Sequence, residues 1–162
     1  AVMIEGGEDP LFICRRMIIL ASEDIGLANP NALLMANTCF QAVHQVGMPE
    51  GRIIMSQTAV YLACSPKSNS TYIAIDEALD LVKKEGAMPV PLHLRNAPTK
   101  LMKDLGYGTG YKYAHDYRLG KSAMECLPDA IINKVFYKPG DNSSERKHLE
   151  YLRLLWNGKY GY

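Results

Sequence analysis

Apolar residues in the first half of the chain recur at helical rather than strand spacing, and turn signals cut them into four segments. Asp9-Pro10 reads as an N-cap followed by proline at the first helical position. It opens an apolar run, Leu11 to Ile25, broken only by Arg15, Arg16 and the Ser22-Glu23-Asp24 end. A helix apolar on nearly every side is buried by neighbours on more than one face, and other subunits count among such neighbours. Asn29-Pro30 opens a second helix running to Val46, with Gly47 as its stop; Asn37, Gln41, His44 and Gln45 form one polar stripe along it. Pro49 opens a third helix through about Cys64. Ser68 or Asn69 caps a fourth that ends at Glu85-Gly86, with Lys83 and Lys84 in its last turn, where cations suit the helix dipole. Turns this short join antiparallel neighbours, so residues from about 9 to 86 are expected to form a compact all-α bundle.

After Gly86 the pattern changes. Pro89, Pro91 and Pro98 break the chain, Asn96-Ala97-Pro98 starts a short helix to about Leu105, and 106–120 is an irregular Gly- and Tyr-rich loop. The segment 130–137 fits strand or helix equally. Ser143-Ser144-Glu145 then caps a final amphipathic helix, at about 143–157. The expectation is a single domain over 1–162, with a Pro/Gly/Tyr-rich basic segment at about 87–142 between the bundle and the last helix.

Composition supports a packed domain: of 162 residues, 48% are hydrophobic and 22% charged, far from the signature of disorder. Apolar stretches such as Met17 to Ala21 and Ala59 to Cys64 are too short to cross a bilayer, so no membrane partner is expected. Cys14, Cys39, Cys64 and Cys126 make no CxxC pair, and three of them sit in apolar helical patterns, which points to buried free thiols in a reducing cytoplasm. The chain begins Ala1-Val2-Met3 and is expected to be a piece of a longer protein, so a motif missing here is missing only from this piece. Charge is uneven. Residues 1–80 carry 4 Lys/Arg against 9 Asp/Glu, whereas residues 81–162 carry 14 against 8, which implies different partners for the two halves.

Candidate chemistry is sparse. The Gly106-Tyr-Gly-Thr-Gly110 run lacks the preceding strand and following helix of a dinucleotide fingerprint, and no GxxxxGK[ST] loop occurs. His44, His93, His115 and His148 are scattered without metal spacing, and His115-Asp116 has no matching nucleophile. No catalytic, cofactor-binding or metal residue is therefore assigned, and the chain itself is not expected to be an enzyme. The richest stretch is 95–121, where Arg95, Lys100, Lys103, Lys112, Arg118 and Lys121 face only Asp104 and Asp116, with Tyr107, Tyr111, Tyr113 and Tyr117 threaded between. Basic groups interleaved with aromatic rings suit phosphate contact plus base stacking; a solvated surface whose tyrosines fix the loop to the core suits the pattern as well. DNA-contact candidates are Arg95, Lys100, Lys103, Tyr107, Tyr111, Lys112 and Tyr113. Oligomer-contact candidates are Arg15 or Arg16, pairing across subunits with Glu23 or Asp24.

The run Pro89-Val-Pro-Leu-His-Leu-Arg-Asn-Ala-Pro-Thr-Lys-Leu-Met-Lys-Asp-Leu-Gly-Tyr-Gly-Thr-Gly-Tyr-Lys-Tyr-Ala-His-Asp116 resembles the signature of the RarA/MgsA family of AAA+ ATPases, which includes the Werner-helicase-interacting protein. Glu8-Asp-Pro-Leu-Phe-Ile, Ala21-Ser-Glu-Asp-Ile-Gly-Leu-Ala, Gly47-Met-Pro-Glu-Gly51 and Ser65-Pro-Lys-Ser-Asn69 agree with it. Near the end, Cys126 stands where the family has a Tyr, and Asp141-Asn-Ser-Ser144 replaces a more glycine-containing turn. The resemblance implies the C-terminal domain of such a protein: a helical domain akin to a clamp-loader collar that holds the parent as a homotetramer. The parent would be a DNA-dependent ATPase, cytoplasmic and nucleoid-associated. It would act on single-stranded or forked DNA at stalled replication forks beside single-strand-binding protein, with ATP and Mg²⁺ held in a module outside this chain. The alternative is a domain that is primarily a DNA-binding module using 95–121.

Because no loop offers the phosphate cradle, lysine and Mg²⁺-holding hydroxyl of a P-loop, the 162-residue chain should not bind ATP. Saturable binding of labelled ATP, read by equilibrium dialysis, is the contrary result.

Overall fold

The computed structural model describes residues 1–117 and 122–162, and among these the fold is all-α, without a strand. In chain order the helices are α1 (Val2–Glu5), α2 (Pro10–Leu20), α3 (Asn31–Val46), α4 (Gly51–Ala63), α5 (Ser70–Glu85), α6 (Lys100–Asp104) and α7 (Ser143–Trp156), with short 3-10 turns between some of them. The chain resolves into two compact units. The first comprises 1–76 and 137–148, the second 77–136 and 149–162.

In the first unit the Asp9 carboxylate accepts the N–H groups of Leu11 and Phe12, and Pro10 follows at the first helical position, where its missing N–H costs nothing. Cys14, Met17 and Ala21 then line one side, packing against Ala32, Ala36, Cys39 and Val43 of α3 and Met55 and Leu62 of α4. The alanines let α2 and α3 approach closely, and the thiols of Cys14 and Cys39 lie 3.9 Å apart. Burial pushes the Cys14 thiol up to about 12, with the charge and hydrogen bond of Cys39 adding to it, so it stays a protonated apolar filler. Cys64 and Cys126 are exposed, unlike the buried thiols expected from the helical pattern; Cys64 sits at the C-cap of α4, outside its buried face.

The expected continuous helix from Leu11 to Ile25 is interrupted. The α-helix gives way at Ala21 to a π-turn, Ala21–Ile25, and then to a 3-10 turn, Gly26–Ala28. The Ser22 hydroxyl donates back to the carbonyls of Ile18 and Ile19, a bond that competes with the regular ladder. Gly26 has φ 49°, and a Cβ there would stand 2.7 Å from the Ser68 carbonyl, so only glycine allows this approach. The wider turn aims Ile25 into the core, where it is fully buried. α2 buries one face rather than all of them, leaving Phe12, Arg15, Arg16 and Ile19 exposed. α4 begins at Gly51, two residues beyond the expected start at Pro49, and the N-terminal α1 lies in a segment for which the sequence pattern gave no helix.

The start of α7 is fixed by a buried carboxylate. Asn142, not Ser143, is the cap: its Oδ1 accepts the Glu145 N–H at 2.9 Å, while its Nδ2 donates to Glu145 Oε2 at 2.6 Å. The pairing differs from a capping box in that Glu145 is held by the side-chain amide of Asn142 rather than by its backbone N–H. Glu145 is 0% exposed, and its Oε1 also accepts from the hydroxyls of Ser70 and Tyr137, the latter bonded to His148 Nδ1 at 3.2 Å. The first turn of α7 is thereby tied to the first turn of α5. The segment 130–137, open between strand and helix, contains only a 3-10 turn at Asp129–Ile131.

Burial alone would push the Glu145 carboxyl up, but hydrogen bonds from Ser68, Ser70, Asn142 and the Gly140 N–H outweigh it and hold it at about 2, against an ordinary 4.5. A carboxylate depressed on folding contributes stability that is complete above its unfolded value and lost as pH falls through the folded one. Stability should therefore drop by about 3 kcal/mol between pH 4.5 and 2 from this group. Thermal melts of Glu145→Gln should show a smaller acid loss in that window and a destabilisation of about 1–3 kcal/mol at pH 7.

Candidate nucleic-acid interface

In the second unit the prolines before Leu92 keep the chain extended until a 3-10 turn at Leu92–Leu94. Thr99 caps α6 by accepting the Met102 N–H at 3.3 Å, so this helix starts later than the Asn96-Ala97-Pro98 signal suggested. Gly106 and Gly108, at φ 81° and 74°, then turn the loop back so that the Gly108 N–H reaches the Leu92 carbonyl at 2.9 Å. Arg95 secures this fold-back. Its Nε donates to the Val90 carbonyl at 2.7 Å, its Nη1 donates to the Tyr107 hydroxyl at 3.1 Å, and the guanidinium lies 5.1 Å from the Tyr107 ring centre. Two of the DNA-contact candidates, Arg95 and Tyr107, thus hold the loop in shape.

The other five behave differently. Lys100 and Lys103 on α6, with Tyr111, Lys112 and Tyr113 beyond the turn, are all exposed, and no ion pair among the described residues involves any of the three lysines. The Lys112 N–H points to Met124 Sδ at 3.4 Å, which anchors the backbone while the ammonium faces solvent. The Tyr113 ring rests 5.1 Å from the His115 ring. Arg118 and Lys121, the last cations of the basic stretch, lie outside the described residues. Free ammonium groups on a fixed backbone, beside solvent-facing rings, match the chemistry of phosphate contact with base stacking.

A second clamp in this unit has no local sequence signal. The Glu125 carboxylate accepts from Lys159 Nζ at 2.7 Å and from the Tyr160 hydroxyl, while the Glu125 carbonyl meets His93 Nε2 at 2.7 Å. Burial alone would raise this carboxyl, but the bonds from Lys159, Tyr160 and the Leu127 N–H hold it at about 2. Lys159 Nζ also lies 5.5 Å from the Trp156 ring centre and 4.8 Å from that of Tyr160. The partners stand 34 residues apart in sequence, a separation that no local spacing rule reads.

In the first unit, Arg15 pairs with Asp9 of its own chain at 3.2 Å, an exposed contact that contributes little. Arg16 is exposed, as are Glu23 and Asp24 on the π-turn, where the Asp24 carbonyl accepts the Ser68 N–H at 2.8 Å. Among the described residues no group of histidines, cysteines and carboxylates is arranged to hold a metal, and no helix is long and apolar enough to cross a membrane.

Residues 1–156 match the family model described as MgsA AAA+ ATPase C terminal. The chain is 43% identical over 157 residues to "Replication-associated recombination protein A" of Coxiella burnetii, covering 94% of this chain and 36% of that protein. The protein of the same name in Escherichia coli is 43% identical over 157 residues, covering 96% of this chain and 35% of the relative. "ATPase WRNIP1" of Dictyostelium discoideum is 47% identical over 137 residues, 84% of this chain and 16% of that protein. The chain therefore spans about a third or less of the length of these relatives.

Arg95→Ala should destabilise the second unit by about 1–3 kcal/mol, since it leaves the Val90 carbonyl and Tyr107 hydroxyl without their donor. Lys100→Ala and Lys103→Ala should each stay within about 0.5 kcal/mol of the parent. Urea denaturation of the three variants separates the loop-holding cation from the solvent-facing ones.

Proposed function

The chain belongs to the MgsA AAA+ ATPase C-terminal family, and from that premise we propose that it is the homotetramerisation domain of a clamp-loader-like AAA+ ATPase. The parent ATPase acts at stalled replication forks in DNA replication, recombination and repair, in the cytoplasm on the nucleoid. The observation that carries the assembly role is the outward apolar surface of the first unit: Leu34, Ile53 and Val60 are 66%, 61% and 62% exposed. Apolar surface left open in this way favours contact with another chain. Single-strand-binding protein and single-stranded or forked DNA are the proposed partners of the parent. ATP and Mg²⁺ belong to its ATPase module, and the whole chain 1–162 acts as one assembly domain.

A second reading, DNA contact by this domain itself, is favoured by one specific observation: Lys100, Lys103, Lys112, Tyr111 and Tyr113 all face solvent, and the three lysines are unpaired among the described residues. The two roles are compatible, since four copies multiply weak contacts into avidity.

Light scattering of the chain at micromolar concentration should return a tetramer; a monomer overturns the assembly role. Gel shifts should show salt-dependent binding of single-stranded DNA. The Lys100→Ala, Lys103→Ala, Lys112→Ala triple variant should bind more weakly, with a salt slope flattened by about one per lost phosphate contact, while remaining tetrameric. Equal binding by parent and triple variant removes the second reading and leaves the first standing.

A further inference from the structure

Past α7 the chain curls back in a left-handed turn. Asn157 and Tyr160 have φ of 47° and 71°, values that residues other than glycine rarely adopt, and the neighbouring Gly158 and Gly161 have φ of 84° and 74°. A turn of this kind persists only where its surroundings hold it. Glu125 holds this one: its Oε2 accepts from Lys159 Nζ at 2.7 Å and from the Tyr160 hydroxyl, while the Trp156 ring meets the Tyr160 ring edge-on with centres 4.8 Å apart.

The rest of Glu125 faces the other way. Its Oε1 accepts the N–H groups of Cys126 and Leu127, each at 3.2 Å, and its carbonyl accepts from His93 Nε2 at 2.7 Å. Both neighbours in these ties reach the loop that carries the exposed tyrosines. Leu92, beside His93, accepts the Gly108 N–H at 2.9 Å, and Met124, beside Glu125, accepts the Lys112 N–H on its Sδ at 3.4 Å. Glu125 is therefore joined, through the residues next in line, to both contacts that fasten the backbone bearing Tyr111, Lys112 and Tyr113.

We propose that Glu125 is the positioning residue of the nucleic-acid surface: the turn after α7 clips onto it through Lys159 and Tyr160, and the clip fixes the backbone from which Tyr111, Lys112 and Tyr113 meet a single strand. This rests on the second reading above, DNA contact by this domain, and goes beyond it by naming a residue that shapes the surface without touching DNA. A carboxylate near a phosphate repels it, so charge and positioning give opposite signs for the same substitution. Glu125→Gln removes a negative charge and frees Lys159, which on charge alone tightens binding. It also sets an amide NH₂, which cannot accept, either against Lys159 and Tyr160 or against the Cys126 and Leu127 N–H groups, so half of the clip is lost.

The test measures binding of labelled single-stranded oligothymidylate to the 162-residue chain by fluorescence anisotropy at fixed low salt, together with hydrogen exchange over 111–113. Glu125→Gln should bind about tenfold more weakly, the order expected when one backbone residue must be fixed on binding. Its exchange over 111–113 should quicken, with helicity by circular dichroism unchanged. Glu150→Gln makes the same change of charge at an exposed position of α7 and should bind at least as tightly as the parent. Lys159→Arg, which keeps a cation on Glu125, should retain parental binding, and Tyr160→Phe, which removes one bond and no charge, should weaken it a few-fold. Weaker binding with faster exchange in Glu125→Gln supports the clip. Binding as tight as the parent's or tighter, or unchanged exchange, overturns the clip and leaves DNA contact standing. If Glu125→Gln loses helicity, Tyr160→Phe decides on the same two readouts. A parent with no salt-dependent binding overturns both the clip and the reading it rests on.

Discussion

The close approach of α2 and α3 constrains everything else in the first unit. Where their axes meet, the side chains are Cys14, Ala21, Ala32, Ala36 and Cys39, all fully or almost fully buried and all small. Helices that pack through alanine and cysteine sit near the short end of the usual interaxial range. The bulkier Met17, Ile25, Val43, Met55 and Leu62 fill the core around this contact, while Leu34, Ile53 and Val60 lie on the outer faces of α3 and α4.

Two buried or half-buried carboxylates do by hydrogen bonding what the small core does not do by area. Glu145 gathers Ser68, Ser70, Tyr137, Asn142 and the Gly140 N–H around the start of α7. Glu125 gathers Lys159, Tyr160 and the Leu127 N–H. In each case burial opposes ionisation and a full set of donors overrides it, so the charge persists where solvent is scarce. The donors of Glu145 are neutral groups, which ties the clasp to geometry rather than to salt concentration. Glu125 uses an ammonium group and is the more sensitive to screening of the two.

The sequence was most informative where structure is local and periodic. The helices at 31–46, 70–85 and 143–156 follow from apolar spacing and flanking punctuation, because both signals lie within a turn or two of the residues they govern. It was silent where partners are distant in sequence. Nothing near Glu145 announces Ser70, 75 residues away, and the Asn142 cap is hidden beside two serines that look like better caps. The π-turn at 21–25 depends on Gly26 meeting Ser68, another distant contact. For the candidate site, the basic and aromatic composition was legible, but the division of labour was not: Arg95 and Tyr107 turn inward to hold the loop, while Lys100, Lys103 and Lys112 face outward. The charge contrast between sequence halves also softens, since Lys138, Arg146 and Lys147 belong with the first unit.

This division of labour bears on how weak DNA contacts become useful under the function proposed above. A lysine on a mobile loop loses backbone freedom when it meets a phosphate, about 1–2 kcal/mol for each residue fixed, which offsets much of the contact. The Arg95–Tyr107 clasp and the Gly108–Leu92 bond hold the backbone that carries Lys100 and Lys103, and the Met124 contact holds that of Lys112, so on the proposed reading their ammonium groups would lose only side-chain freedom on meeting a phosphate. Ammonium contacts of this kind carry no base information, and exposed Tyr111 and Tyr113 offer stacking that tolerates any base. On the proposed reading, such a surface would favour unpaired strands over duplex without selecting a sequence. In the assembly proposed above it would be repeated at fixed separations, so a strand that left one copy would stay within reach of the next, and the effective concentration would do what one domain cannot.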